Sequence, residues 1–239
     1  MELKYTKDLT ILPSICDSEA RLGLTDTFNV FMDIATCHAQ ALGVGAAPMF
    51  RRGLFWLTAK TKIHFYERPA MMEDVTVSTW AVEPEELRCL REYTVHRGEK
   101  LLISGKTQWA VMNTATGKLH PMSDVFPGEV NFASKPEFDA PFARVDYSRL
   151  IKELGRYTVR STDIDLGGHM NNVAYIRAVL GMFSTKQLRQ MKISDMDVSF
   201  VSSCYEGDEL SIRMGETDTG CEIGAFLPNG KAVLLAEMS

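Results

Sequence analysis

The sequence contains no run of about 18 apolar residues, so no segment is long enough to cross a bilayer as a helix. Its first eight residues, Met-Glu-Leu-Lys-Tyr-Thr-Lys-Asp, hold no apolar core of the kind a secretory signal needs. Five cysteines are present (Cys16, Cys37, Cys89, Cys204 and Cys221), an odd number with no CxxC spacing. That pattern argues against both a disulfide framework and a zinc site. With the missing signal, it leads to the expectation of a reducing, cytoplasmic setting. A basic field is lacking too: the formal net charge is -5 and both halves are slightly acidic, so nucleic acid is not an expected partner. What remains is a chain of 239 residues, 45% hydrophobic and 24% charged, close to the globular average. That length fits one large or two small domains and buries on the order of 70% of its unfolded surface. Folding therefore requires no metal or cross-link.

Two segments have helical periodicity. In the first, Phe28, Phe31, Ile34, Ala35, His38, Ala41 and Leu42 share a face, with Thr25 or Asp26 placed to cap the start and Gly43 to end it. In the second, Val173, Ile176, Val179, Leu180 and Phe183 do so, with Asn171 or Asn172 as N-cap. Elsewhere the pattern has period two, as in Leu101-Ile103-Gly105-Thr107-Trp109-Val111. The two halves repeat one another. Each begins with a helix, then a strand ending in Phe (60–65 and 195–200), then an acidic turn into a second strand (73–77 and 207–211). A hairpin closes each half, at Arg97-Gly98 and at Asn229-Gly230, the latter a strong two-residue turn signal. Between them, Pro121, Pro127, Pro136 and Pro141 mark an irregular stretch. The expected architecture is α+β: unit 1–120, linker 121–146 and unit 147–239, each an antiparallel sheet burying one helix. Such paired units protect one another's open edges, and a groove between them is the default seat for a ligand.

The densest polar cluster is Ser161-Thr162-Asp163-Ile164-Asp165-Leu166-Gly167-Gly168-His169-Met170-Asn171-Asn172, directly before the second helix. It suits acyl transfer. Amides at a helix start lack partners and lie at the positive end of the dipole, where a carbonyl oxygen gaining charge is stabilised. A nearby Asp or His can take a proton from attacking water. The plainer alternative is a polar loop whose Asp and Asn residues form turns and a cap. His38, on an apolar stripe, reads as a core residue. Trp56, Trp80 and Trp109 read as sheet packing.

Residues 157–175, with Asp163-Ile164-Asp165, His169-Met170-Asn171-Asn172 and Val173-Ala174-Tyr175, resemble the signature of plant and bacterial acyl-acyl-carrier-protein thioesterases. The segment Ala39-Gln40-Ala41-Leu42-Gly43-Val44-Gly45, the Trp56 strand, Thr79-Trp80 and Thr107-Gln108-Trp109 extend the likeness over nearly the whole chain. The resemblance implies a tandem hotdog fold and hydrolysis of fatty acyl-acyl-carrier-protein in fatty acid biosynthesis. It also implies an acyl tunnel shaped by the first half, with some of its tryptophans and Met49, Phe50, Phe55 and Met71 as candidate lining residues. It assigns catalysis to Asp165 and His169, with Gly168, Met170, Asn171 and Asn172 positioning the carbonyl and Ser203 and Cys204 as second-strand members. No metal or organic cofactor is implied, and a homodimer is compatible. Two positions depart from the family pattern: Gly167 stands where it has Asn, and Ser203 where it has Glu. Glu206 is either a substitute acid or a solvated turn residue, and Cys204 either a nucleophile or a small buried apolar residue. For an acidic carrier protein, Arg51-Arg52 with Lys60, Lys62 and Arg68 form either a docking patch or an ordinary solvated loop. An acyl-binding module without hydrolysis, or an acyl-coenzyme A thioesterase, are the competing functions.

Overall fold

The computed structural model describes residues 3–128 and 130–239, and divides into two compact units, Met1–Ala140 and Pro141–Ser239. In the first unit, β1 (Tyr5–Thr10) precedes α1 (Leu24–Ala41) and α2 (Ala46–Arg51). Then follow β2 (Leu54–Phe65), β3 (Asp74–Ala81), β4 (Cys89–Arg97), β5 (Lys100–Asn113) and the short β6 (Leu119–His120). All pairings are antiparallel, in the order β1-β3-β4-β5-β2, with β6 on β5. Helix α1 lies across one face of this sheet, burying Phe28, Phe31, Ile34, Ala35 and His38. The Phe31 ring stacks on Tyr93 at 4.4 Å, over Gly105, where an added Cβ would come within 2.5 Å of the ring. That approach accounts for a glycine in mid-strand.

The second unit repeats the plan. It holds β7 (Lys152–Thr158), α3 (Asn172–Leu180), α4 (Thr185–Met191), β8 (Asp195–Phe200), β9 (Glu209–Glu216), β10 (Cys221–Phe226) and β11 (Ala232–Met238). Its strands pair antiparallel in the order β8-β11-β10-β9-β7. Both hairpins form where the sequence places them, with Gly98 and Gly230 in the left-handed region.

Three expectations need correction. Each unit begins with a strand, not a helix. β1 and β7 are edge strands whose side chains are largely polar and solvated, so they carry no apolar alternation to read. The cap of α1 is Gly23, with no side-chain cap bond; Thr25 and Asp26 sit inside the first turn. Finally, the expected linker does not begin at 121 as a free segment. Met122 and Val125 are buried in a first-unit cluster with Leu42, Met49, Leu54 and Val111, and the units divide at 140/141. The remaining linker backbone is strapped to buried carboxylates. Glu92 accepts from the Glu137 and Phe138 amides, at 2.8 and 2.7 Å. Within the second unit, Asp197 accepts from Ala143 at 2.6 Å and Glu222 from Asp146 at 3.1 Å.

Candidate active site

The polar cluster folds as a tight reversal ahead of α3. The Asp165 amide donates to the His169 carbonyl at 2.9 Å, Gly168 donates back to the Asp165 carbonyl at 3.0 Å, and Ile164 pairs with Met170. Gly168 has φ +76°, which closes the reversal in a region where a Cβ is strained. Leu166 stands fully exposed at its tip. The Asp165 carboxylate is half-buried, and its Oδ1 accepts from the amides of Gly167 at 2.7 Å and His169 at 3.4 Å. The imidazole of His169 lies beside the Tyr205 ring, centroids 5.1 Å apart. Among the described residues no hydrogen bond joins the Asp165 carboxylate to that imidazole. The reversal thus presents one carboxylate oxygen, Oδ2, and one imidazole at the entrance to α3.

Just behind it, Asp163 is buried and accepts from the Tyr157 hydroxyl and the Arg160 amide, both at 2.8 Å, while its carbonyl accepts from the Asn171 amide at 2.7 Å. Asn171 caps α3, its Oδ1 accepting from Val173 at 2.8 Å, as the sequence suggests. The amides expected to face a substrate oxygen are mostly committed elsewhere. Gly168 and His169 donate within the reversal, Met170 donates to the Cys204 carbonyl at 2.9 Å, and Asn171 to Asp163. Of the amides from 168 to 172, only that of Asn172 has no acceptor among the described residues. The expected cradle therefore narrows to Asn172, because the loop's own folding consumes the others.

The second-strand members do not lie on a strand. β8 ends at Phe200, and residues 201–208 form a loop in which Ser203 and Glu206 are exposed. Cys204 is fully buried. Its Sγ donates to the Tyr175 hydroxyl at 3.0 Å, and burial pushes its thiol pKa up. A thiol so placed is a poor nucleophile. Glu206 is the solvated turn residue. Tyr175 is the residue that sequence reading missed. Its hydroxyl accepts from the Cys204 amide at 3.1 Å and donates to the Ser202 carbonyl at 3.3 Å, pinning this loop to α3. It falls on the helix's apolar face, which conceals a hydroxyl with partners in a distant loop.

In the first unit, Arg52 donates to the carbonyls of Asp124 and Val125, and Arg68 pairs with Asp17 and Glu19. Both have structural partners; Arg51 and Arg52 are both exposed. Trp80 is buried, with its indole N–H on Glu92 at 3.0 Å; Trp56 donates to Val44 at 2.8 Å. Met49 is buried, whereas Phe50 and Met71 are exposed.

Two helix-wrapping antiparallel sheets in one chain, with a carboxylate and an imidazole on the reversal before the second helix, define an α+β protein of the tandem hotdog type. The acyl-ACP thioesterase N-terminal domain model matches residues 2–128, and its C-terminal counterpart matches residues 150–231. The chain belongs to the acyl-ACP thioesterase family. It is 26% identical over 190 residues to a chloroplastic acyl-[acyl-carrier-protein] hydrolase of Cuphea viscosissima, covering 74% of this chain and 46% of that one. To the chloroplastic oleoyl-acyl carrier protein thioesterase of Coriandrum sativum it is 24% identical over 239 residues, covering 87% and 62%. The chain spans about half to three fifths of the length of these curated relatives. An acyl-ACP thioesterase from Bacteroides thetaiotaomicron has the same fold, with TM-score 0.89, 23% identity, and 98% and 96% of the two chains covered.

Proposed function

We propose that this protein hydrolyses the thioester between a fatty acyl chain and acyl carrier protein. The observation that carries the reading is the reversal before α3, which holds Asp165 and His169 together while leaving the Asn172 amide open. In the reaction, a water oxygen bonds to the acyl carbon and the carbon–sulfur bond breaks. The free Oδ2 of Asp165 takes the proton from water, and His169 orients that water or passes the proton to the leaving thiolate. The Asn172 amide, at the positive end of α3, stabilises the oxyanion. Gly168, Met170 and Asn171 hold the reversal in shape. Ser203, exposed beside Cys204, is available to bond water. The acyl chain is taken up by the first unit, where each buried methylene contributes about 0.8 kcal/mol. The five free cysteines suit a reducing compartment, and we place the protein in the cytoplasm.

Two substitutions test the mechanism. Asp165→Asn and His169→Ala should each slow hydrolysis of acyl-acyl-carrier-protein by about 10²–10⁴-fold. Undiminished rates in both overturn it. Running the coenzyme A ester alongside identifies the leaving group. A second reading, acyl binding without hydrolysis, draws on one observation: Asp165 Oδ1 is committed to the turn, and Gly167 and Ser203 supply neither an amide nor a carboxylate. Wild-type protein that binds fatty acids but releases no thiol from either ester would establish it.

A further inference from the structure

The backbone of His169 is held at both ends of its peptide. Its amide donates to Asp165 Oδ1 at 3.4 Å, and its carbonyl accepts from the Asp165 amide at 2.9 Å. Among the described residues, however, no hydrogen bond or ion pair reaches the imidazole ring. An imidazole that orients water or moves a proton needs a second group to fix its plane, commonly a carboxylate or a carbonyl. The defined contact of this ring is instead with the Tyr205 ring, centroids 5.1 Å apart and planes tilted at 51°. That separation lies within the range at which aromatic rings attract one another.

Backbone bonds bring Tyr205 to this place. The Met170 amide donates to the Cys204 carbonyl at 2.9 Å, so His169 precedes the donor of that bond and Tyr205 follows its acceptor. The Cys204 amide is held in turn by the Tyr175 hydroxyl at 3.1 Å. Beyond Tyr205 the chain closes in a tight turn. The Tyr205 amide donates to Asp208 Oδ2 at 2.8 Å, and the Asp208 amide donates back to the Tyr205 carbonyl at 3.1 Å. Gly207, at φ +87°, supplies the left-handed residue the turn requires. The Tyr205 side chain is 55% exposed, so the core has little use for its ring. Its neighbour on the protein is the imidazole.

We infer that Tyr205 is a positioning residue for His169, its ring forming the wall that fixes the orientation of the imidazole. The inference rests on the hydrolase reading, in which His169 orients water or passes a proton. Without the wall the imidazole turns more freely about its side-chain bonds, so the reacting fraction falls while substrate affinity is kept. The exposed position lets the fold tolerate substitution there. Kinetics of wild type, Tyr205→Leu and Tyr205→Phe are measured with fatty acyl esters of acyl carrier protein and of coenzyme A. Histidine ring protons are followed by NMR in the same proteins, the His169 signals being those absent from His169→Ala. Tyr205→Leu should lower kcat about tenfold at unchanged KM. It should also displace the His169 signals, because the neighbouring ring current is gone. Tyr205→Phe, which keeps the ring, should restore both. Unmoved His169 signals in Tyr205→Leu would show that the two rings do not meet, and a raised KM at wild-type kcat would make Tyr205 a substrate contact. Moved signals without a fall in kcat would show contact without positioning, and a Phe variant as slow as the Leu variant would point to the hydroxyl. Each of these four results overturns the inference and leaves hydrolysis standing. Wild-type protein that cleaves neither ester overturns the hydrolase reading, and the inference with it.

Discussion

At the scale of single residues, His38 carries the clearest electrostatic consequence. Burial and the adjacent Arg91 charge lower its pKa from 6.5 to about 4. The folded state therefore refuses a proton that the unfolded chain accepts. Stability is unaffected above pH 6.5, falls as pH drops from there towards 4, and has then lost about 3 kcal/mol from this group. His38→Gln keeps an acceptor for Arg91 and removes the titration. Denaturant titrations should show a smaller loss from pH 7 to 4.5 in this variant than in wild type; parallel curves would contradict the assignment. Tyr175 bears on packing instead. Tyr175→Phe deletes the hydroxyl that joins Cys204 and Ser202 to α3 and should cost about 1–3 kcal/mol. Cys204→Ala, by contrast, should leave the hydrolytic rate unchanged, since a buried thiol with a raised pKa is a poor nucleophile. A collapse in rate with the fold intact would restore it to the mechanism.

Among the elements, α3 and the linker show how backbone donors govern shape. Removing the cap with Asn171→Ala should cost about 1 kcal/mol, readable as a lower Tm. Its effect on rate should track loosening of the reversal, since Asn171 also donates to Asp163. The linker strap on Glu92 rests on a carboxylate that accepts from two backbone amides and the Trp80 indole. In Glu92→Gln one acceptor becomes a donor facing donors. Amide exchange at 137 and 138 should accelerate, and stability should drop by about 1–3 kcal/mol; unchanged exchange would show that the strap is held by other contacts. Helices α1 and α3 and the core strands were legible because one face of each is apolar, whereas the short α2 and α4 were not read from the sequence. β1 and β7 were not, being edges that solvent wets.

For the whole molecule, the five cysteines are all free, three of them buried. Thermal unfolding should therefore give the same Tm with and without a thiol reductant; a reductant-dependent Tm would mean that an unseen cross-link supports the fold. The sequence by itself determined the doubled plan, the hairpins and the α3 cap, since these depend on periodicity and on residues next to one another in the chain. It also localised Asp165 and His169 to one short segment. Only tertiary structure decided which amides remain open, because Cys204 and Asp163 claim the Met170 and Asn171 donors across loop contacts. That Arg91, Thr107 and Thr61 fall in one buried row likewise needed the register of β4, β5 and β2. Hydrogen bonds are short and directional, so which group finds a partner is settled by the folded geometry.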